Sequence, residues 1–278
     1  MTEQPVKLFH IGTQKAASTY LYNLLRGHPD ACLNRLTEVN FFSVNFEKGE
    51  DWYYDGFMGT GRRIDTSPKY FMGGDTVAPR IKEYCNRHGV EPKFLLILRN
   101  PIDYVNSHFQ MHLRHGFFQG HPEQFPELSE NLIKHLEMYP KYLDRSFYAK
   151  NLQMWLEHFD LKQFKIISFE KFVQQNDEAM NFWGLSQQAL KTDSSSKNKM
   201  LRYNFLLRWQ TKVIKNEKLK NILKSSRLFN SIYDKLLTVK SSNKLSGKDR
   251  AALGKRIAKD VGRLREMTGM GFEEWKDF

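Results

Sequence analysis

Cysteine is scarce in this sequence: Cys32 and Cys85 are the only two in 278 residues. Two thiols so far apart make no disulfide framework, so a hydrophobic core has to hold the fold, and a reducing compartment fits. No apolar run approaches the roughly 20 residues that cross a bilayer. The opening Met1-Thr-Glu-Gln-Pro has no basic flank leading into an apolar stretch, so no signal peptide is expected and a cytoplasmic protein is. The chain also lacks a recognisable His/Cys/carboxylate set at metal-ligand spacing, RNA-binding signatures, zinc-finger spacing, internal repeats and long low-complexity tracts. Neither a metal cofactor nor a nucleic-acid partner is expected.

What is present is 40% hydrophobic and 14% aromatic, over a length that suits one large α/β domain with a well-buried core. The net charge of +12 is concentrated: residues 191–278 hold 22 Lys and Arg against 9 Asp and Glu, and the rest is near neutral. Such an excess fits an anionic partner, with a solubilising helical surface as the alternative.

Lys7-Leu-Phe-His-Ile11 reads as a buried strand that ends at Gly12, with a helix from Ser18 carrying Leu21, Leu24 and Leu25 on one face. Phe94–Leu98 is a second buried strand, and Pro101 opens a helix through Val105, Phe109 and Leu113. An amphipathic helix with Leu152, Trp155, Leu156 and Phe159 precedes a third strand, Lys165–Phe169, and Asp65-Thr-Ser-Pro68 ends a further one. Buried strands alternating with helices predict a single P-loop-like α/β domain, with a central parallel sheet flanked by helices. Within it, residues 1–192 form the α/β core and 193–278 a basic helical region. There a helix is expected over Met200–Leu223, with an apolar stripe of Leu201, Phe205, Trp209 and Val213, and a last helix over Lys248–Met267 that ends near Gly269.

Two segments carry phosphate chemistry. In Gly12-Thr-Gln-Lys15-Ala16-Ala17-Ser18-Thr19 the glycine permits a sharp turn, and backbone amides at the helix start can point at an anion. Lys15 adds a point charge, and Ser18 and Thr19 add hydroxyls. A Walker A loop needs a second glycine before its lysine, which is missing here; a plain helix cap is the alternative. In Arg99-Asn-Pro101 through Ser107, an arginine at a strand end and a serine two turns into the next helix can clamp one phosphate. An ordinary ion pair at a helix start is the alternative.

Taken together, these segments resemble the PAPS-dependent sulfotransferases. The resemblance sharpens toward the heparan-sulfate type and related bacterial carbohydrate sulfotransferases. Glu38-Val-Asn-Phe-Phe42 is similar to their Lys-Glu-x-x-Phe-Phe segment, and Asp65-Thr-Ser-Pro-Lys-Tyr-Phe71 to their Lys-(Ser/Thr)-Pro-x-Tyr-Phe element. Phe147-Tyr-Ala-Lys-Asn-Leu152 with Trp155, and the ending Leu264 to Trp275, also match the family, and the matches run in family order from Lys7 to Phe169. Thr37 stands where the family often has lysine, Asp65 where it often has lysine or glutamate, and Met72-Gly-Gly lacks a lysine that some glycan-modifying members carry.

The resemblance implies PAPS as donor and PAP as product, with Lys15, Ala16, Ala17, Ser18 and Thr19 around the 5′-phosphosulfate and Arg99 and Ser107 on the 3′-phosphate. Lys197, Lys199 and Arg202 stand where the family closes a basic loop over that phosphate, a solvated helix start being the alternative. Tyr148 lines the donor or acceptor pocket or is a core tyrosine. Glu38 is implied as the base and Lys15 as the group that stabilises the leaving phosphate. The implied acceptor is a hydroxyl or amine on a carbohydrate or glycolipid, and the basic C-terminal helices would offer peripheral membrane contact. The rival readings are a nucleotide-dependent kinase and a non-enzymatic basic protein that binds anions or membranes.

Overall fold

The computed structural model describes residues 4–115, 132–186, 200–201, 238–239 and 245–278. Five strands run parallel: β1 (Leu8–Gly12), β2 (Ala31–Asn34), β4 (Arg62–Thr66), β5 (Lys93–Leu98) and β6 (Phe164–Ser168). A two-residue β3 (Phe57–Met58) adds an antiparallel edge beside β2, and the sheet order is β3-β2-β4-β1-β5-β6. The α/β architecture, a central parallel sheet with helices on both faces, is as the sequence predicts; the short antiparallel edge has no counterpart in the sequence reading. A strand of two residues is too short to show any periodicity.

Strand alternation sorts the core into two layers. Phe9, Ile11, Phe94, Leu96, Leu98 and Ile166 face one layer, together with α3 (Gly74–His88), α4 (Pro101–His115), α6 (Tyr148–Leu156) and the last helix, α9 (Gly247–Thr268). Leu8, Ile64, Leu95, Ile97 and Ile167 face the other, against α1 (Ser18–Arg26), α7 (Phe169–Gln174) and α8 (Asp177–Trp183). The two short helices α2 (Gly49–Asp55) and α5 (Leu132–Met138) complete the described α-helices.

The alternation has a consequence for function. The chain leaves β1 for α1 on one face and leaves the adjacent β5 for α4 on the other. Two neighbouring strands whose exits part in this way open a crevice at their carboxyl ends, where ligands of open α/β sheets bind.

Helix α9 begins at Ser246, whose side chain accepts from the Asp249 amide, and ends at Gly269 in the left-handed region. Both ends agree with the sequence. Its Leu253, Ile257, Val261 and Leu264 are buried in the same layer as α6. Helix α3 has no counterpart in the sequence reading, because Pro79 lies inside it and removes one backbone donor. Met200–Leu201 pairs antiparallel with Thr238–Val239 rather than opening a helix. The rest of the expected helix, with Phe205, Trp209 and Val213, lies outside the described residues, as do Lys197, Lys199 and Arg202. No described helix is long and apolar enough to cross a membrane.

Candidate functional site

The Gly12–Thr19 segment lies at the carboxyl end of β1, beside that of β5. Thr13 is tied to β5 by its amide and its hydroxyl, both of which donate to the Ile97 carbonyl, at 2.7 and 3.2 Å. Lys15 and Ala17 then take left-handed backbone conformations with φ of 63° and 64°. These are unusual for residues that carry a Cβ. Ala17 is the residue before α1 and supplies no side-chain cap. The Ser18 hydroxyl turns back to the Thr13 carbonyl at 3.4 Å instead of capping the helix. The plain-cap alternative is therefore not what the loop does, and the first-turn amides of α1 keep the orientation that suits an anion.

Gly12 allows this loop to sit where it does. A Cβ there would lie 2.7 Å from the Cβ of Phe71. The Tyr70-Phe71 turn after β4 presses directly on the start of the loop, and no residue larger than glycine fits between them.

Arg99 brings the second motif to the first. Its guanidinium donates to the Lys15 carbonyl at 3.3 Å and lies over the Phe169 ring, 5.1 Å from the centroid. Residues 84 apart in sequence thus share one crevice, with the guanidinium held between the β1 loop and the start of α7. The buried Tyr148 hydroxyl donates to the Arg99 carbonyl at 3.0 Å. Tyr148 is thus both a core tyrosine and a fixing point for the strand end. Asn100 caps α4 by accepting from the amides of Ile102 and Asp103, at 3.0 and 3.4 Å. It also donates to Asp277 at 2.7 Å, and Arg250 bridges Asp277 and Asp103. The C-terminal tail therefore braces the helix on which Ser107 stands half-buried.

Glu38 is half-buried in the segment after β2, at the same carboxyl edge of the sheet as Lys15 and Arg99. Three contacts from the end of β4 and the segment after it grip its surroundings. The Thr66 hydroxyl donates to the Thr37 carbonyl at 2.7 Å, the Asn40 amide donates to Ser67 Oγ at 2.9 Å, and the Phe42 amide donates to the Tyr70 hydroxyl at 3.0 Å. Behind them sits Asp65, fully buried. It accepts from Ser67 at 2.5 Å, Tyr53 at 2.8 Å and Tyr70 at 2.9 Å. Loss of solvent raises its carboxyl pKa to about 6, against the three hydroxyl donors that lower it.

The sequence shows Asp65 at a strand end and in a family-like element, but assigns it no role at the site. Its position on the buried side of a strand, ahead of Ser67 and Tyr70, was the available signal. Phe169 was read only as a strand residue, and Asn100 only as part of the strand-end motif. Among the described residues no group of three or more His, Cys, Asp or Glu side chains could hold a metal ion. His10 and His108 are buried, and His10 stands in the middle of β1.

No protein-family model matches the chain. Over 59% of its length it is 29% identical to a bifunctional heparan sulfate N-deacetylase/N-sulfotransferase 1 of Caenorhabditis briggsae. Over the same share it is 28% identical to heparan sulfate glucosamine 3-O-sulfotransferase 3B1 of Mus musculus. The matches span 20% and 41% of those two relatives. In fold, a sulfotransferase from Alicyclobacillus acidocaldarius aligns over 99% of this chain and 100% of its own, with TM-score 0.61 and 18% identity. Motifs, relatives and architecture agree: this chain resembles the PAPS-dependent sulfotransferases, and its fold is the sulfotransferase fold.

Proposed function

We propose that the chain transfers a sulfuryl group from PAPS to a hydroxyl or amine of a carbohydrate. The observation that carries this reading is the meeting of the Lys15 loop and Arg99 in one crevice at the β1/β5 switch point, beside a helix start with no side-chain cap. Lysine, a guanidinium and oriented amides suit a ligand with separated anionic groups, as a 3′,5′-bisphosphate nucleotide has. The relatives' names include both an N- and a 3-O-sulfotransferase acting on heparan sulfate, which supports a sugar amine or hydroxyl as acceptor.

In the proposed reaction the acceptor oxygen or nitrogen attacks sulfur in line with the departing 5′-phosphate oxygen. The new bond to sulfur forms as the sulfur–oxygen bond to the phosphate breaks, and Glu38 takes the acceptor's proton. Lys15 and the loop amides stabilise the charge that collects on the departing phosphate, while Arg99 and Ser107 hold the 3′-phosphate. Positioning and electrostatics supply the catalysis, as in phosphoryl transfer.

The deciding experiment is a calorimetric titration with PAP in EDTA, with ATP as comparison. Tight metal-free binding of PAP, and weaker binding of ATP, is expected. No PAP binding by a folded sample would overturn the reading, and nucleotide binding that requires magnesium would favour a kinase.

A further inference from the structure

The strongest feature left over by this chemistry is the buried carboxylate of Asp65. Its described partners are three hydroxyls rather than a cation, and a buried charge without a paired opposite charge costs stability that hydroxyl donors only partly offset. Two of its three partners continue outward. Ser67 has a single proton and spends it on Asp65, so its oxygen is left to accept the Asn40 amide. Tyr70 likewise donates to Asp65 and accepts from the Phe42 amide. The acceptor at position 65 thus fixes the direction of both hydroxyls, and both then hold backbone amides just after Glu38. Asn40, whose amide is the first of the two anchored, is held at a φ of 48°, in the left-handed region that few residues with a Cβ adopt. Tyr53, the third partner, makes no such onward contact; it is stacked on Phe41 at 4.4 Å.

We propose that Asp65 is a positioning residue, whose carboxylate acts through Ser67 and Tyr70 to set the backbone that carries Glu38 at the carboxyl edge of the sheet. The proposal rests on the reading of Glu38 as the base. It makes the aspartate a requirement of this chain's own hydroxyl pair. Asparagine cannot replace it. The amide has one accepting oxygen, so either Ser67 or the tyrosine pair faces an NH₂ group and must turn its proton elsewhere.

The test uses the full chain in five forms: wild type, Asp65→Asn, Ser67→Ala, Tyr70→Phe and Tyr53→Phe. Amide exchange is followed by NMR, PAP binding by calorimetry, and kcat and KM with PAPS and de-N-sulfated heparin. In Ser67→Ala the Asn40 amide should exchange at least roughly tenfold faster, and in Tyr70→Phe the Phe42 amide should do so; this corresponds to the loss of one net hydrogen bond. Asp65→Asn should release one or both, and Tyr53→Phe neither. kcat should follow the same order with KM for PAPS and PAP affinity unchanged. Wild-type exchange at both amides in Asp65→Asn would overturn the proposal. So would a Tyr53→Phe variant that loses as much protection at Asn40 and Phe42 as the other three, because the effect would then be general loosening. Failure of wild type to bind PAP would sink the sulfotransferase reading alone, since the exchange rates test the Asp65 arms without donor or acceptor.

Discussion

Arg99 and Glu38 show how differently two candidate residues are supported by their surroundings. The guanidinium is held from two sides, by the Lys15 carbonyl and the Phe169 ring, and its planar fork cannot be copied by an ammonium group. Arg99→Ala should weaken PAP binding by about 1.5–3 kcal/mol, the usual worth of a hydrogen bond to a charged partner; unchanged affinity by calorimetry would remove Arg99 from the 3′-phosphate. Glu38 is instead held through its backbone neighbours, which leaves the half-buried carboxyl available to an acceptor. Glu38→Gln should lower turnover by ~10²–10⁴-fold while PAP still binds. A variant with full turnover would show that the proton leaves by another route. Both residues were legible in the sequence as types at spacings. The Phe169 ring beneath Arg99 and the hydroxyls around Glu38 were not, because those contacts join segments that no local pattern relates.

At the scale of elements, the loop after β1 depends on the turn after β4. The contact is between backbone and ring base: Gly12 has no room for a Cβ beside Phe71, whose carbonyl is in turn held by the Trp155 indole at 3.1 Å. Gly12→Ala should therefore cost about 1–3 kcal/mol, as overpacking of a filled core does, and should lower PAP affinity as well because Lys15 stands three residues on. The check is a thermal melt beside a PAP titration; a wild-type melting temperature would mean that Phe71 yields freely. Strand β1, β5, β6, α1, α4 and α9 were each readable from apolar periodicity, from Pro101 or from Gly269. Helix α3 and strand β3 were hidden, one by an internal proline and one by its two-residue length.

At the scale of the whole molecule, two buried titratable groups oppose each other in acid. Burial lowers the His10 pKa to about 3, so the unfolded chain takes up that proton first and stability is lost as pH falls from the ordinary 6.5 toward 3. Burial raises Asp65 from 3.8 to about 6, so its contribution is present below 3.8 and lost as pH rises through 6. Between those limits the two trends work against each other. Asp65→Asn removes one of them. The stability of the variant relative to wild type should rise by roughly 3 kcal/mol from well below pH 3.8 to well above pH 6. Urea unfolding at several pH values reads this slope, and a constant difference would show that Asp65 does not titrate in this range. The pH-dependent part of the difference therefore moves toward the variant as pH rises, because the buried carboxylate costs more than the neutral acid.

The sequence alone determined the class of fold, since buried strands spaced by amphipathic helices have few other ways to cover both faces of a sheet. It also determined the kinds of group at the site: a lysine after a glycine turn, an arginine at a strand end, and a glutamate before a pair of phenylalanines. The tertiary structure decided which of them meet. Lys15 and Arg99 share a crevice because β1 and β5 are neighbours whose helices leave on opposite faces. Glu38 is tied to the Asp65 network because β2 and β4 pair in parallel and bring their trailing segments to one edge. Pairing of strands distant in sequence is set by the packing of the entire core, and no local run of residues encodes it.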